Sequence, residues 1–363
     1  MAEAVPRLQI PAPDGVSSLV EQFPVRRDWH TGVATGIGSL PGTSPGEAAA
    51  IVAGELPDLP HLVELPDRGV GADLIGRTAG LLVDIWAEVV PSGWRIARRP
   101  GRDTLRAKDL MAWDLDAAEE RYTGAEWVKV QICGPWTLAA GLELASGHRS
   151  LTDAGAVSDL AESLAEGLAA HLADVSRRLP GAGVVVQVDE PGLPAVLAGS
   201  LPTASGFGTV PAIPAARAGE LLTTLVDRSG DHPTVAHCCH VAAPLRLLRA
   251  CGFDALAVDL TVVGERASAL DAIGELVEGG GGILLAGVVP TTMPAEADAP
   301  LRRWAAPLLD TWNRLGLRRE DLTGSVVPTP TCGLAGADRA WAVRAMRQCG
   351  QLAQALRDLP EDW

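Results

Sequence analysis

The sequence lacks the features that mark several broad classes of protein. It has no excess of basic residues: 30 Lys and Arg stand against 45 Asp and Glu, and the formal net charge is -15. An acidic chain repels phosphate groups, so we expect neither nucleic acid nor an anionic membrane surface as a partner. No run of about 18 apolar residues is free of charge, Pro or Gly, and no membrane span is expected. Residues 1–15 contain no basic segment followed by an apolar one, so we expect no signal peptide.

Cysteine is also scarce, with six residues in a chain of 363. Thiols so few and so widely spaced do not indicate a disulfide framework, and we expect a cytoplasmic protein whose cysteines serve metal binding or catalysis. The hydrophobic share of 47% and the charged share of 21% are ordinary for a globular protein long enough to bury a large core. The cysteines are Cys133, Cys238, Cys239, Cys251, Cys332 and Cys349.

No sequence repeat is evident, but one arrangement recurs: a short β-branched run, a turn, and a helical stretch rich in Ala and Leu. The clearest helix spans 153–179, where Leu160, Leu164, Leu168 and Leu172 recur on one face. Further helices are predicted at 215–227, 244–251, 267–278, 301–315 and 337–356. Buried strands are predicted at 33–37, 61–64, 127–132, 184–188, 234–237, 255–259, 283–288 and 325–327.

This alternation of strands and helices predicts an α/β protein with parallel strands. Eight such units over about 330 residues are typical of a closed (β/α)₈ barrel, or TIM barrel. We predict a single domain at 31–363, preceded by an N-terminal extension at 1–30 in which no strand signal occurs. The long segment 67–126, with its basic stretch 95–106, is predicted to insert helices or a hairpin after the second strand. An open doubly wound sheet is the alternative, but no GxGxxG motif follows the first strand.

Polar side chains follow most of the predicted strands. In a (β/α)₈ barrel the chemistry lies at the carboxyl ends of the strands, so these groups are expected to converge on one cavity. The seventh strand is the exception, since only Gly, Val and Pro follow it. In strand order the groups are Ser39, Glu64, Cys133, Asp189 with Glu190, the run 237–240, Asp259 and Cys332.

His237, Cys239 and Cys332 together offer one imidazole nitrogen and two thiolates. Zinc favours tetrahedral coordination by nitrogen and sulfur, and a catalytic zinc site keeps one position open. The spacing is too wide for a zinc finger, so a preformed scaffold has to bring the ligands together. Taken alone, Cys238 and Cys239 are equally well interpreted as small buried hydrophobic residues, but the neighbouring histidine and the strand end favour a metal. Cys238 should then point away from the cavity. His240 is a solvated residue or a donor near the metal, and the other cysteines are expected to pack in the core.

The carboxylates of Asp189 and Glu190 allow more than one interpretation. With Glu64 as the partner they resemble the acid and base pair of a glycosidase, although glycoside hydrolysis does not need thiols. Alternatively, Asp189 and Glu64 neutralise the ammonium group of a substrate. Glu190 is interpreted mainly as a cap at the start of the next helix, because a carboxylate just after a strand often has that role.

Together these segments resemble the catalytic domain of cobalamin-independent methionine synthase. Residues 37–41, IGSLP, resemble its IGSFP homocysteine loop, and 188–191, VDEP, resemble its IDEP motif. Residues 237–239, HCC, resemble HMC, which carries two zinc ligands, and 330–334, PTCGL, resemble the NPDCGL motif with the last cysteine ligand. The order is the same, and the similarity covers nearly the whole chain. The family fold is a (β/α)₈ barrel related to uroporphyrinogen decarboxylase.

The resemblance implies a role for each matching residue in binding homocysteine. Ile37, Gly38 and Ser39 would hold the carboxylate of the substrate. Glu64 and Asp189 would hold its amino group. The reaction implied is the transfer of a methyl group to the thiol of homocysteine, which forms methionine.

The resemblance also implies a zinc cofactor and its ligands. His237, Cys239 and Cys332 match the family's His and Cys ligands by position. The remaining family ligand is a Glu near the end of the sixth strand, and Asp259 is the nearest carboxylate here. Its side chain is one methylene shorter.

Three departures from the family pattern concern the methyl donor. The chain corresponds to the catalytic barrel only, without the family's N-terminal barrel. The family has an Asp-Ile-His segment after the seventh strand, and its His helps to protonate the folate leaving group, whereas 289–294 reads VPTTMP here. In addition, Trp136 stands where the family has a small or β-branched residue. Without a general acid, the transfer from a folate would be slower by roughly 10²–10⁴-fold. A methylcorrinoid donor needs no such acid. We therefore hypothesise a methylcorrinoid as the donor, either free methylcobalamin or a corrinoid protein.

Three further functions stay open. The first is a zinc-dependent alkyltransferase with another acceptor thiol, of the coenzyme M type, which has no amino group for Glu64 and Asp189 to bind. The second is an enzyme like uroporphyrinogen decarboxylase, which needs no metal and would leave the thiols unexplained. The third is an idle barrel that binds a thiol metabolite or a corrinoid protein without turnover.

Overall fold

A computed structural model describes residues 29–263, 266–278 and 281–357 of the chain. The predicted N-terminal extension, 1–30, lies outside the described residues except for Trp29 and His30, both of which are buried. In the described part of the chain, no helix is long and apolar enough to cross a membrane.

Six strands form one parallel sheet at the centre of the molecule. In sheet order they are β3 (Trp127–Cys133), β5 (Gly183–Asp189), β6 (Thr234–His237), β7 (Ala255–Asp259), β8 (Ile283–Val289) and β9 (Val326–Pro330). Every neighbouring pair is parallel, and helices separate the strands along the chain, as the alternation in the sequence predicts. The predicted α/β class with parallel strands is confirmed.

The first two predicted strands are not regular strands in the structure. Segment 61–64 makes two isolated bridges, from Glu64 to Ser39 and from His61 to Lys129, and segment 33–37 makes none. Backbone hydrogen bonds still attach these segments to both outer strands of the sheet: the amide of Leu62 donates to the carbonyl of Lys129 at 2.8 Å, and that of Thr35 to Pro328 at 3.3 Å. Gly38 has φ +150°, and a side chain there would meet Gln131, so the chain leaves the extended conformation at this point.

The segment after the second extended stretch holds both kinds of element that were predicted for it. Strands β1 (Trp86–Val90) and β2 (Gly93–Ala97) form an antiparallel hairpin, and the two-residue strand β4 (Leu142–Glu143) adds to β2 in parallel. The basic stretch is used structurally: Arg95 pairs with Glu88 at 2.7 Å, and the guanidinium of Arg106 donates to backbone carbonyls.

The helices bury their apolar faces against the sheet. On the longest helix the four predicted leucines are at most 3% exposed, because a repeat of four residues keeps them on one face. The α-helices of the described residues are α1 (Pro45–Glu55), α2 (Leu74–Ala79), α3 (Arg102–Arg121), α4 (Pro135–Gly141), α5 (Ala154–Arg178), α6 (Leu193–Ala198), α7 (Ala215–Arg228), α8 (Leu245–Ala250), α9 (Leu260–Val263), α10 (Ala267–Glu278), α11 (Leu301–Leu315), α12 (Leu322–Ser325) and α13 (Arg339–Arg357).

Candidate metal centre

The imidazole and the two thiols that the sequence singles out lie together in the structure. His237 is the last residue of β6, Cys239 follows two residues later, and Cys332 lies two residues beyond the end of β9. One ligand atom from each of the three lies within 4.8 Å of the other two, and the two sulfurs are 2.8 Å apart. The strands end at the same edge of the sheet, and the curl of the sheet brings the end of β6 close to the end of β9, three strands away in sheet order.

The ring of His237 is oriented by a carboxylate on the neighbouring strand. Its Nδ1 lies 2.7 Å from Oδ1 of Asp189, the last residue of β5, and both side chains are buried. An ionised carboxylate only accepts hydrogen bonds, so Nδ1 carries the proton and donates it. Nε2 is buried and has no hydrogen bond of normal geometry to the described residues. This arrangement leaves Nε2 as the ring nitrogen near the two sulfurs, where a metal ion would take the place of its proton.

The two thiols of the cluster differ in their proton affinity. The hydrogen bond from Cys332, with the proximity of His237, lowers the pKa of Cys239 far below that of a free thiol. The same contact raises the pKa of Cys332, because the neighbouring thiolate and burial both disfavour a second negative charge. Burial alone would lower the pKa of His237, but Asp189 and the sulfur of Cys239 raise it to about 9. A metal cation would replace the proton that these groups now share.

This donor set fits zinc. A buried lone pair on nitrogen, two adjacent thiols and a carboxylate behind the histidine are the features of zinc sites in proteins. The three residues leave room in a tetrahedral shell for one more ligand. The buried Cys238 lies in the hydrophobic core, facing away from the cluster, and His240 is exposed, with its Nδ1 accepting from the amide of Ala242.

Asp259 does not join the three other predicted ligands. It ends β7 and is half-buried, but its Oδ1 accepts hydrogen bonds from the amide of Thr261 at 2.9 Å and from the Thr261 hydroxyl at 2.5 Å. Burial raises the pKa of Asp259, and the charge of Cys239 adds to this effect, so the carboxyl lies within electrostatic reach of the cluster.

A second group of predicted residues, the candidate acceptor pocket, lies beside the metal cluster and consists of Ser39, Glu64 and Asp189. Glu64 is buried, and burial raises its pKa to about 7, with Arg77 opposing the rise and Asp189 adding to it. Ser39 lies against Gly333, the residue after Cys332: a side chain at Gly333 would lie 2.1 Å from the hydroxyl of Ser39. The structure therefore brings Glu64, Asp189 and Ser39 to the same side of the metal cluster.

The backbone of the first loop is already engaged within the protein. The carbonyl of Ile37 accepts from the side chains of Lys129 and Gln187, at 3.1 and 2.8 Å. The carbonyl of Gly38 accepts from the amide of Glu64 at 3.2 Å. These bonds fix the path of the loop, so the contribution of Ile37 and Gly38 to a bound ligand is mainly the placement of Ser39.

Glu190 has a structural role in this molecule. Its carboxylate accepts from the amides of Trp136 and Thr137, at 2.9 and 2.8 Å, and from the hydroxyl of Thr137 at 2.6 Å. The sequence pattern indicated a cap on the helix that follows its own strand, but Glu190 caps the start of α4, which follows β3. With both oxygens committed, Glu190 is not a free acid or base.

The structure also shows buried charged residues that the sequence interpretation missed. Arg77 pairs with Asp114 and lies 3.6 Å from Glu64, and Arg68 donates to the same Asp114 at 2.8 Å. Lys129 is wholly buried among the strands. A signal for part of this set was present: Lys129, Gln131 and Gln187 are polar residues in otherwise apolar strands. Nothing in the local pattern marks Arg77, because it lies on a short helix of the insertion.

The chain matches a family model described as "Cobalamin-independent synthase, Catalytic domain" over residues 32–355. Among solved structures it is similar to a B12-independent methionine synthase from Shewanella sp. W3-18-1 in complex with selenomethionine. That similarity has a TM-score of 0.57 and 11% sequence identity, and covers 90% of this chain and 98% of the other. A GH5_18 structure from Streptomyces cattleya in complex with GlcNAc has a TM-score of 0.47 and 14% identity, with 91% and 82% covered. No curated protein sequence matches the chain.

Proposed function

The chain belongs to the family of cobalamin-independent methionine synthase catalytic domains, which are methyltransferases, and from this premise we propose a zinc-dependent transfer of a methyl group to homocysteine. The product is methionine. The observation that carries the proposal is the convergence of His237, Cys239 and Cys332, with their ligand atoms within 4.8 Å of one another.

The metal site addresses the main chemical difficulty of the reaction. A free thiol has a pKa near about 8.5, so only a few per cent of it is thiolate at neutral pH. A zinc ion held by His237, Cys239 and Cys332 would supply an open position at which a thiol is deprotonated and stays nucleophilic. Asp189 holds Nδ1 of His237, so Nε2 is the nitrogen that would bind the metal in place of a proton.

The candidate acceptor pocket supplies orientation. Glu64 and Asp189 are buried carboxylates that would attract the ammonium group of the substrate, and the hydroxyl of Ser39, which lies beside Gly333, would bind its carboxylate. Two such anchors hold the sulfur in line with the methyl carbon, which contributes to the rate by proximity. The new sulfur–carbon bond forms as the donor keeps the electron pair of the bond that breaks.

We also propose that residues 31–363 form one catalytic domain with a closed (β/α)₈ barrel. The six-stranded parallel sheet accounts for six of the eight strands. The hydrogen bonds of the segments 33–37 and 61–64 to the outer strands β9 and β3 support their assignment as the other two. A cytoplasmic location stays a prediction.

Two observations bear on the identity of the methyl donor, and they point in opposite directions. The segment 289–294 contains no side chain that donates a proton to a folate leaving group, and this favoured a methylcorrinoid. The matched family and the similar structure are both described as independent of cobalamin, which favours methyltetrahydrofolate instead. Free methylcobalamin or a corrinoid protein therefore stays a hypothesis that a donor assay has to decide.

A second candidate is the transfer of an alkyl group to a thiol without an amino group. The observation that favours it is the ion pair between Arg77 and Glu64 at 3.6 Å, because a carboxylate that already has a cationic partner attracts a ligand ammonium less strongly. For a glycosidase, the commitment of Glu190 to α4 leaves only Asp189 and Glu64 as the acid and base, and the thiol cluster would have no role. A decarboxylase without a metal would leave the thiol cluster unexplained.

The test is a zinc determination together with an assay of methionine formation from homocysteine. Parallel reactions would contain methyltetrahydrofolate, methylcobalamin or neither, and 2-mercaptoethanesulfonate would replace homocysteine in a further set. One zinc per chain and methionine formation with one donor are expected. Methylation of the sulfonate alone would favour the second candidate. Protein purified without chelator that holds no zinc would contradict the proposal.

A further inference from the structure

An unbroken line of buried hydrogen bonds runs from Lys129 to the metal cluster. Nζ of Lys129, on β3, donates to Oε1 of Gln187 on β5 at 2.7 Å. Nε2 of Gln187 donates to Oδ1 of Asp189 at 2.7 Å, and the same oxygen lies 2.7 Å from Nδ1 of His237. All four side chains belong to residues that are at most 6% exposed, so water does not compete for these bonds.

The directions of the bonds in this line follow from its two charged members, Lys129 at one end and Asp189 beside His237. An ammonium group has donors only, so the amide of Gln187 must present its oxygen to Lys129. The amide NH₂ then faces Asp189, whose carboxylate can only accept. With that oxygen accepting from Gln187 on one side, the imidazole of His237 completes the set as a donor through Nδ1. Nε2 is then the nitrogen left to face the two cysteines, where a metal ion would displace its proton.

We infer that Lys129 is a positioning residue for the metal site, acting through Gln187 and Asp189 to fix the orientation of His237. Lys129 makes two further bonds, to the carbonyl of Ile37 at 3.1 Å and to Oε1 of Gln131 at 3.4 Å. The first of these ties the loop that carries Ser39 to the same lysine. One buried cation therefore fixes the relative positions of His237 and of the loop that carries Ser39.

The cost of burying this lysine supports a role of this kind. Removing an ammonium group from water is unfavourable unless all its donors are paired. A leucine or methionine would fill the same space without this desolvation penalty. Lys129 has three acceptors for its three protons, and the carboxylates of Asp189 and Glu64 stabilise its charge. Lys129 is therefore an energetically unfavourable residue for this position on β3, and its hydrogen bonds connect it to the metal site through Gln187.

The test is the zinc affinity of a Lys129→Met variant, which keeps the length of the side chain and removes its donors. Zinc is titrated against a chromophoric chelator, with the far-ultraviolet circular dichroism recorded to confirm that each variant is folded. We expect the dissociation constant for zinc to rise about 10–100-fold, the range seen when groups that support a ligand are removed. Gln348→Met is the matched control, because Gln348 is a buried glutamine on α13 and makes no bond to the line. Its zinc affinity should equal that of the wild type.

A double-mutant cycle distinguishes positioning from a general effect on packing. If Lys129 acts through Asp189, then Lys129→Met adds nothing to the loss already caused by Asp189→Asn. Additive losses in the double variant would overturn the inference, as would a wild-type affinity in Lys129→Met. If Lys129→Met does not fold, Gln187→Met breaks the line at its second bond, and the same loss is expected there.

The inference rests on the proposed zinc site, and the experiment separates the two failures. A wild-type chain that binds no zinc would end the proposed function, and the inference with it. A wild-type chain that binds zinc, beside a Lys129→Met variant that binds it equally well, would end this inference alone.

Discussion

The two sides of the candidate site are built in different ways. On the metal side, His237, Cys239 and Cys332 follow the ends of regular strands, and one carboxylate supports them. On the acceptor side, Glu64 and Ser39 lie on segments joined by isolated bridges, and Glu64 contacts a buried network of Arg77, Asp114 and Arg68. The difference teaches that the candidate metal cluster is assembled almost entirely from strand ends, whereas the candidate acceptor pocket depends also on charges from an insertion.

The two sides are also expected to differ in what they tolerate. The metal side has few members, so the loss of any one of them removes a ligand and the chemistry with it. On the acceptor side the charges are shared among several groups, so a substitution there changes stability or ligand preference more than it changes the metal. Four predictions test this contrast.

The largest effect is expected on the metal side, from Cys332→Ser. A serine hydroxyl is a poor zinc ligand because it stays protonated at neutral pH, so bound zinc should fall close to zero and methionine formation to background. Zinc content by atomic absorption and initial rates measure this. Cys349→Ala, which removes a buried thiol on α13 outside the cluster, is the control and should retain its zinc. Equal zinc in both variants would remove Cys332 from the site.

On the acceptor side, Asp114→Asn is expected to destabilise the fold strongly without releasing zinc. Asp114 is fully buried and accepts hydrogen bonds from Arg68 and Arg77. Its substitution therefore leaves two buried guanidinium groups without the negative charge that they share. Breaking a buried pair in this way costs about 3–5 kcal/mol in the free energy of unfolding. Urea denaturation measures it. Asp116→Asn, on the same helix but exposed, should cost less than about 1 kcal/mol. Similar values for the two variants would contradict the network.

The same contrast separates what could be predicted from the sequence from what could not. The strands β3 and β5–β9 and the metal residues were predictable, because apolar runs mark strands and a thiol or imidazole just after such a run is conspicuous. The segments 33–37 and 61–64 were wrongly predicted as regular strands, because a local pattern does not record that Gly38 leaves the extended conformation. The network around Arg77 could not be predicted, because its members are up to 46 residues apart in sequence and meet only through the packing of α2 against α3.

The third prediction concerns pH and the charge of Glu64. Because burial raises its pKa to about 7, Glu64 is ionised and able to hold an ammonium group only above that pH. The affinity for methionine, which has no ionisable thiol, should therefore weaken about tenfold for each pH unit below 7, and level off above it. Calorimetric titration between pH 5.5 and 8.5 measures this.

The matched control for that titration is Glu64→Gln, in which the dependence on pH should disappear. The effect of rising pH on the stability of the fold is opposite to its effect on methionine binding. The folded-state pKa lies above the ordinary value of 4.5, so the folded free protein binds more protons and loses stability as the pH rises from about 4.5 to 7. A methionine affinity that is independent of pH in the wild type would show that Glu64 does not contact the amino group.

The smallest effect is expected at Asp259, the one predicted zinc ligand that does not lie in the cluster. Its Oδ1 is held by Thr261, and ligation would require that bond to break or the other oxygen to turn toward the sulfurs. Asp259→Asn should therefore weaken zinc binding by less than about tenfold, within the range for groups near a metal and far below the effect of Cys332→Ser. Thr261→Val is the informative partner. This variant removes the hydroxyl that holds the carboxylate. Tighter zinc binding in Thr261→Val, together with weaker binding in Asp259→Asn, would make Asp259 a fourth ligand. No change in either variant would leave the fourth position to the acceptor thiol.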